Sequence, residues 1–113
     1  MPRKNPLNLN PLQLRTLTLL QALATLQGHG TPADEPGSFM VSNLPRPHGD
    51  HFHLGPWVVI ARDASGLANE AAWVVLERKG LINGMFPMSC IVTAAGMGYD
   101  TGMKEQILHG SDH

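Results

Sequence analysis

The sequence has few cysteines, few charges and few aromatic residues, and it has no long apolar run. Cys90 is the only cysteine among 113 residues, which excludes an intramolecular disulfide and fits a reducing compartment, so we expect a cytoplasmic protein. Only 15% of the residues are charged and the net charge is −1, which is not the composition of a strongly basic nucleic-acid-binding protein. No stretch of about 18 apolar residues occurs, so we expect no membrane-spanning helix and no membrane partner.

Sequence motifs of catalysis are also missing. The glycines in the stretch 96–102 have neither the spacing nor the following helix of a phosphate-binding loop. Ser65 does not lie in a nucleophile-elbow pattern. Cys90 lies inside the apolar run 89–93, which is typical of a buried structural cysteine rather than a reactive thiol. We therefore expect no enzymatic activity, and no cofactor apart from the zinc considered below.

The first regular element that the sequence predicts is a leucine-rich helix over residues 11–26. Asn10 and Pro11 form a helix start, in which a capping side chain is followed by proline at the first helical position. Polar residues interrupt the leucines, which favours a helix over a secretion signal. We expect a core helix, with a dimer or partner face as the alternative, preceded by a flexible arm at residues 1–10.

The middle of the chain is rich in proline and glycine, which indicates extensive loops. Residues 39–54 contain strand-like pieces interrupted by proline, so we expect a proline-rich loop or hairpin inserted into the fold. Residues 56–65 are ambiguous, because Gly55 and Pro56 favour a helix start whereas the β-branched run 58–60 favours a strand. We favour a helix there and leave the strand open.

The most informative stretch is GLANEAAWVVLERKGLI, residues 66–82. It predicts a turn and then a helix over residues 67–79 that ends at Gly80. Basic residues in the last turn of this helix suit the helix dipole. The apolar runs on either side of Pro87 then predict a hairpin, which this proline makes longer than a two-residue turn.

This order of elements resembles the winged helix-turn-helix superfamily over residues 66–99. The matching residues are Gly66-Leu67 at the turn, Leu76-Glu77-Arg78-Lys79-Gly80-Leu81-Ile82 at the end of the helix, and Thr93, Gly96 and Tyr99 after the wing. The resemblance implies an α+β fold with a single small winged-helix-like domain over residues 11–109, the insertion at 39–54, and a short tail at 110–113. It also implies that the second helix of the motif enters the major groove and that the wing contacts phosphates or the minor groove.

Six residues on the helix and its flanks would then contact a nucleic acid or a partner: Arg62, Asn69, Glu70, Trp73, Arg78 and Lys79. The three cations among them, with Arg3 and Lys4 of the arm, would contact phosphates. We expect a small nucleic-acid-binding protein, a transcriptional regulator, which a palindromic target would require to be a homodimer. The carboxylates of Glu70 and Glu77 weaken the attraction to phosphates, so the alternative is a non-catalytic protein-interaction module on the same fold.

Trp73 has two interpretations. At helical spacing it shares a face with Glu70 and Glu77, opposite the small and apolar residues of the same helix. The simpler interpretation is that the insertion at 39–54 folds over this face and buries the indole. The functional interpretation is an exposed aromatic anchor for a protein partner.

The segment PHGDHFHLG carries three of the six histidines. If residues 51–54 form a strand, His51 and His53 point to the same face, because side chains alternate along a strand. With His48 or Asp50 from the adjoining turn, they would offer ligands for zinc or another divalent ion. The simpler interpretation is solvated loop histidines, with Asp50 fixing a turn, and a pH-sensing role is a further alternative.

Overall fold

The leucine-rich helix α1, Pro11–Ala24, lies at the centre of the molecule in a computed structural model that describes residues 5–45 and 49–110. Asn10 and Gln13 form a capping box at its start: each side-chain oxygen accepts the backbone N–H of the other residue, at 2.9 and 2.8 Å. Eight of its residues are buried, which include Thr16–Leu20 and Ala22–Ala24. The predicted core helix is therefore confirmed.

The first sheet is antiparallel and has the strand order β1-β2-β6-β5. Its strands are β1 Gly30–Pro32, β2 Phe39–Ser42, β5 Ile82–Met85 and β6 Ser89–Val92. Val41 pairs with Cys90, and both are buried on the face that turns towards the core. Met40 pairs with Ile91 on the opposite, outer face. A strand that the sequence placed in a local insertion is thus the partner of a strand about fifty residues further along the chain.

The second sheet has the order β3-β4-β7 and consists of β3 His51–Leu54, β4 Trp57–Ile60 and β7 His109–Gly110. The expected helix at 56–65 is wrong in its first half, because residues 57–60 form a strand that pairs with β3 across a turn at Gly55. Residues Ala61–Ala68 then form a 3-10 helix. Consequently residues 39–54 are not a separate hairpin: β2 belongs to the first sheet and β3 to the second.

Helix α2 covers Glu70–Arg78 and is shorter at its start than the predicted 67–79, because Leu67 still belongs to the 3-10 helix. Gly80 follows with a φ of +78°, the left-handed conformation that ends a helix at glycine. The hairpin β5–β6 pairs Met85 with Ser89 and leaves three residues in its loop. The prediction that Pro87 excludes a two-residue turn is confirmed.

The C-terminal part closes the core with two short helices, α3 Ala94–Gly98 and α4 Lys104–Ile107. Ile107 and Leu108 are buried and join the core. The N-terminal segment differs from the expected loose arm over residues 5–10, since the Tyr99 hydroxyl donates to Asn5 Oδ1 and accepts the Leu7 N–H at 3.2 Å. Residues 1–4, with the predicted phosphate contacts of Arg3 and Lys4, lie outside the described part.

The described residues thus form one small α+β domain with two antiparallel sheets around α1. Of the helices that the structure describes, none combines the length and the hydropathy needed to cross a membrane.

Candidate functional site

The exposed face of α2 carries Glu70, Ala71, Val74, Glu77 and Arg78. This face differs from the predicted one, because Trp73 is buried and Asn69 is only partly exposed. Both side chains make hydrogen bonds within the protein. The cations Arg62, Arg78 and Lys79 are exposed as expected, but two carboxylates and the apolar side chain of Val74 share the surface with them. A phosphate backbone would therefore meet a face of mixed charge.

Trp73 is buried, with only 2% of its surface exposed, so the interpretation as an exposed anchor is wrong and the burial interpretation is confirmed. Its indole Nε1–H donates to the Gly66 carbonyl at 3.1 Å. Its ring meets Phe86 edge to face with centroids 5.1 Å apart. These partners belong to the 3-10 helix and to the loop of the β5–β6 hairpin, and not to the 39–54 segment that we expected to cover the indole.

Asn69 and Glu77 are occupied by the protein's own backbone. Asn69 is the N-cap of α2, and its side-chain oxygen accepts the Ala72 N–H at 3.3 Å. Glu77 Oε1 accepts the Gly84 N–H at 3.0 Å and so ties α2 to strand β5. If that oxygen paired with adenine, α2 would lose its N-cap hydrogen bond. Asn69 is therefore less suited to base recognition than the sequence suggested.

No family model, no curated protein and no solved structure matches this chain.

A second surface, which we call the hairpin groove, lies beside the loop of the β5–β6 hairpin. It has a volume of about 580 Å³ and is lined by Asn43, Leu44, Pro45, Ala64, Leu67, Ala68, Pro87 and Met88. Met88 is 69% exposed at its border, and Met85, the last residue of β5, is 70% exposed. Single exposed apolar side chains are common, but contiguous apolar patches mark interaction sites, and Met88 continues the apolar lining of the groove.

Sequence reasoning missed this groove, although one signal was present. The hairpin loop Phe86-Pro87-Met88 contains no polar residue where hairpin loops usually carry glycine, asparagine or aspartate. Phe86 is explained by its contact with Trp73, whereas Met85 and Met88 are not explained by the core. The far wall of the groove, from Asn43 to Pro45, could not be placed from local patterns.

The histidine segment folds into β3, as the metal hypothesis required, and His51 and His53 lie on the same exposed face with ring centroids 6.0 Å apart. Asp50 Oδ1 lies 2.8 Å from His51 Nδ1, and this hydrogen bond lowers the pKa of the Asp50 carboxyl. His53 pairs with Val58, which pairs with His109 of β7. Across residues 5–45 and 49–110 no group of three or more His, Cys, Asp or Glu side chains is arranged to hold a metal. The predicted ligand His48 lies outside the described residues.

Cys90 is buried between β2 and β5, and burial raises the pKa of its thiol to about 12. The thiolate is the nucleophilic form, so Cys90 is protonated and unreactive near neutral pH. The prediction of a buried structural cysteine is confirmed.

Proposed function

We propose that this protein is a non-catalytic protein-interaction module that binds an apolar segment of a partner protein in the hairpin groove. The observation that carries the proposal is the exposure of Met88 at the border of a groove in which seven of the eight described lining residues are apolar. Methionine is flexible and polarisable, which suits it to adaptable binding surfaces.

The lining determines the chemistry of the partner. None of the eight lining residues is ionisable, and Asn43 supplies the one polar side chain. A charged partner side chain would lose hydration against these eight residues without gaining a counter-charge from them, which is unfavourable. The anchor of the partner is therefore one or more aliphatic or aromatic side chains.

Support for a winged-helix-like version of the α+β fold comes from the order of the elements. Helix α2 directly precedes the hairpin β5–β6, and β2 completes a sheet in the order β2-β6-β5. The 3-10 helix at Ala61–Ala68 takes the place of the first helix of the motif. In this proposal the hairpin, which would be the wing, supplies the binding surface in place of the α2 face.

Selection from a random peptide display library, with the full chain as bait, tests the proposal. We expect enrichment of peptides with apolar anchors, and we expect Met88→Glu to weaken an enriched peptide at least tenfold in fluorescence anisotropy. Val74→Glu is the matched control, because it adds the same charge at an exposed apolar position of α2 outside the groove lining. Enriched peptides that bind both variants equally well would exclude the hairpin groove.

Nucleic-acid binding is a second candidate function, favoured by the exposure of Arg78 and Lys79 at the end of α2, directly before the hairpin. Anisotropy of a labelled random duplex at low and physiological salt tests it. If phosphates are contacted, affinity falls steeply with salt and Arg78→Ala weakens it. The interaction-module proposal predicts no salt-sensitive binding of the duplex.

A further inference from the structure

We propose that His51 and His53 of strand β3 chelate a divalent transition-metal ion, of the class that prefers imidazole ligands, with Asp50 as the residue that positions His51. This site is independent of the hairpin groove. It differs from the site expected from the sequence, because only two protein ligands are required and Asp50 is not one of them.

The strand geometry brings the two imidazoles together. His51 and His53 are two residues apart on β3, so both side chains leave the same face of the sheet, while Phe52 between them points into the core. Their ring centroids are 6.0 Å apart. Two imidazole nitrogens at about 2.0 to 2.1 Å from one ion place their ring centroids roughly 5 Å apart, so the two rings must approach by about 1 Å to form the chelate.

The hydrogen bond that the His51 ring N–H donates to Asp50 is the second observation that points to a ligand. Asp50 Oδ1 holds His51 Nδ1 at 2.8 Å, which leaves Nε2 as the free nitrogen of that ring. Histidines that bind metals usually donate their other ring N–H to a carboxylate or carbonyl in this way, and the contact fixes both the tautomer and the ring orientation.

The site is open, and it does not hold the fold together. The His51 side chain is 56% exposed and His53 is exposed, so an ion reaches both rings from solvent. Water or a group from another molecule takes the remaining coordination positions. Imidazole suits zinc, copper and nickel, whereas magnesium and calcium prefer oxygen. We therefore expect the site to bind ions of the first group and not those of the second.

Isothermal titration of the full chain with Zn²⁺, and separately with Mg²⁺, tests the site. We expect saturable binding of one Zn²⁺ per chain and no heat from Mg²⁺. Each of His51→Ala and His53→Ala is expected to weaken Zn²⁺ binding at least tenfold, because a chelate becomes a single ligand. Circular dichroism checks that each variant keeps the fold, which is expected since both side chains are exposed.

The other four histidines provide the decisive control. His109 lies on the same sheet face as His53, but Val58 separates the two, so His109→Gln is expected to change nothing. A variant that keeps only His51 and His53 is expected to bind Zn²⁺ with unchanged affinity; its substitutions are His29→Gln, His48→Gln, His109→Gln and His113→Gln. Loss of binding in this variant, or its survival in the His51→Ala/His53→Ala variant, would overturn the proposal.

Substitution of Asp50 distinguishes its role in positioning His51 from a role as a metal ligand. Asp50→Ala is expected to lower Cu²⁺ affinity about tenfold. Electron paramagnetic resonance of the Cu²⁺ complex is expected to show two nitrogen ligands in this variant and one in His53→Ala. A changed oxygen coordination with unchanged nitrogen ligands in Asp50→Ala would instead identify Asp50 as a ligand. Met88→Glu is expected to bind Zn²⁺ normally, so the two proposals fail independently.

Discussion

Trp73 shows how a single buried side chain changes the functional interpretation of a helix. Its spacing with Glu70 and Glu77 predicts that the three residues start from the same face of a helix, and the backbone of α2 places them there. However, the indole contacts the Gly66 carbonyl and Phe86 in the interior, while the carboxylates of Glu70 and Glu77 remain at the surface. Burial of this residue could be proposed from the sequence, whereas the identity of its cover could not, because Phe86 lies thirteen residues away in a hairpin loop.

Cys90 gives the molecule a predictable response to alkaline pH. Its ordinary pKa of 9.0 applies to the unfolded chain and about 12 to the folded one. Below pH 9 both states are protonated, so the thiol has no effect. Between pH 9 and 12 the unfolded chain loses the proton while the folded chain keeps it, so stability falls by about 1.4 kcal/mol per pH unit.

Urea unfolding at pH 8 and 10.5 measures this effect. The wild type is expected to lose about 2 kcal/mol more than Cys90→Ala over that interval, because the variant has no thiol to ionise and shares all other titrating groups. Equal losses in the two proteins would show that the thiol is not desolvated.

At the scale of elements, the packing of α1 against the 3-10 helix depends on the missing side chain of Gly66. A Cβ at this position would lie 1.7 Å from Thr16 Oγ1, which is far inside van der Waals contact. Gly66→Ala is therefore expected to destabilise the fold by about 2 to 3 kcal/mol in urea unfolding. Gly98→Ala in α3 is the matched control, because no atom lies within 4 Å of its Cβ, and it is expected to be neutral or stabilising.

A double substitution identifies the cause of the destabilisation. Thr16→Ala removes the hydroxyl that the new methyl group would meet, so Gly66→Ala is expected to cost less than about 1 kcal/mol in that background. A full cost in the double variant would place the strain elsewhere in the 3-10 helix.

Elements with strong local signals are predicted well, and elements defined by distant partners are not. The start of α1, the glycine stop after α2 and the longer hairpin loop follow from Asn10, Gly80 and Pro87. The helix predicted at residues 57–60 is wrong because a short β-branched run is compatible with either a helix or a strand. Only the pairing of this run with β3 determines that it is a strand.

At the scale of the whole molecule, Tyr99 joins the N-terminal segment to the C-terminal part of the domain. Its hydroxyl contacts Asn5 and Leu7, and Asn5 in turn accepts the Leu9 N–H at 3.1 Å. Tyr99→Phe is expected to release this segment while the core is retained, because only hydroxyl hydrogen bonds are lost, at about 1 kcal/mol. Hydrogen exchange is expected to accelerate at Leu7 and Leu9 and to stay unchanged in the middle of α1.

Asn5→Ala should reproduce this pattern, and the double variant should add little, since both residues belong to one network. Unchanged exchange at Leu7 in Tyr99→Phe would show that apolar packing of Leu9 holds the segment without the tyrosine.

The candidate sites follow the same division as the elements. The placement of His51 and His53 on one face was predicted because a strand places alternate residues on the same side, which needs no long-range information. The hairpin groove was not predicted, because its walls come from three separate parts of the chain, near residues 44, 67 and 88.

The central position of α1 has a consequence for the synthesis of this protein. Among its neighbours in the core are Ile107 and Leu108, which the ribosome adds roughly 4 to 20 seconds after the leucines of α1 at ordinary elongation rates. During that interval the nascent chain carries a leucine-rich helix whose burial is incomplete. Such a chain is expected to need a chaperone or the ribosome surface as temporary cover, and arrest of translation before residue 107 is expected to yield aggregates.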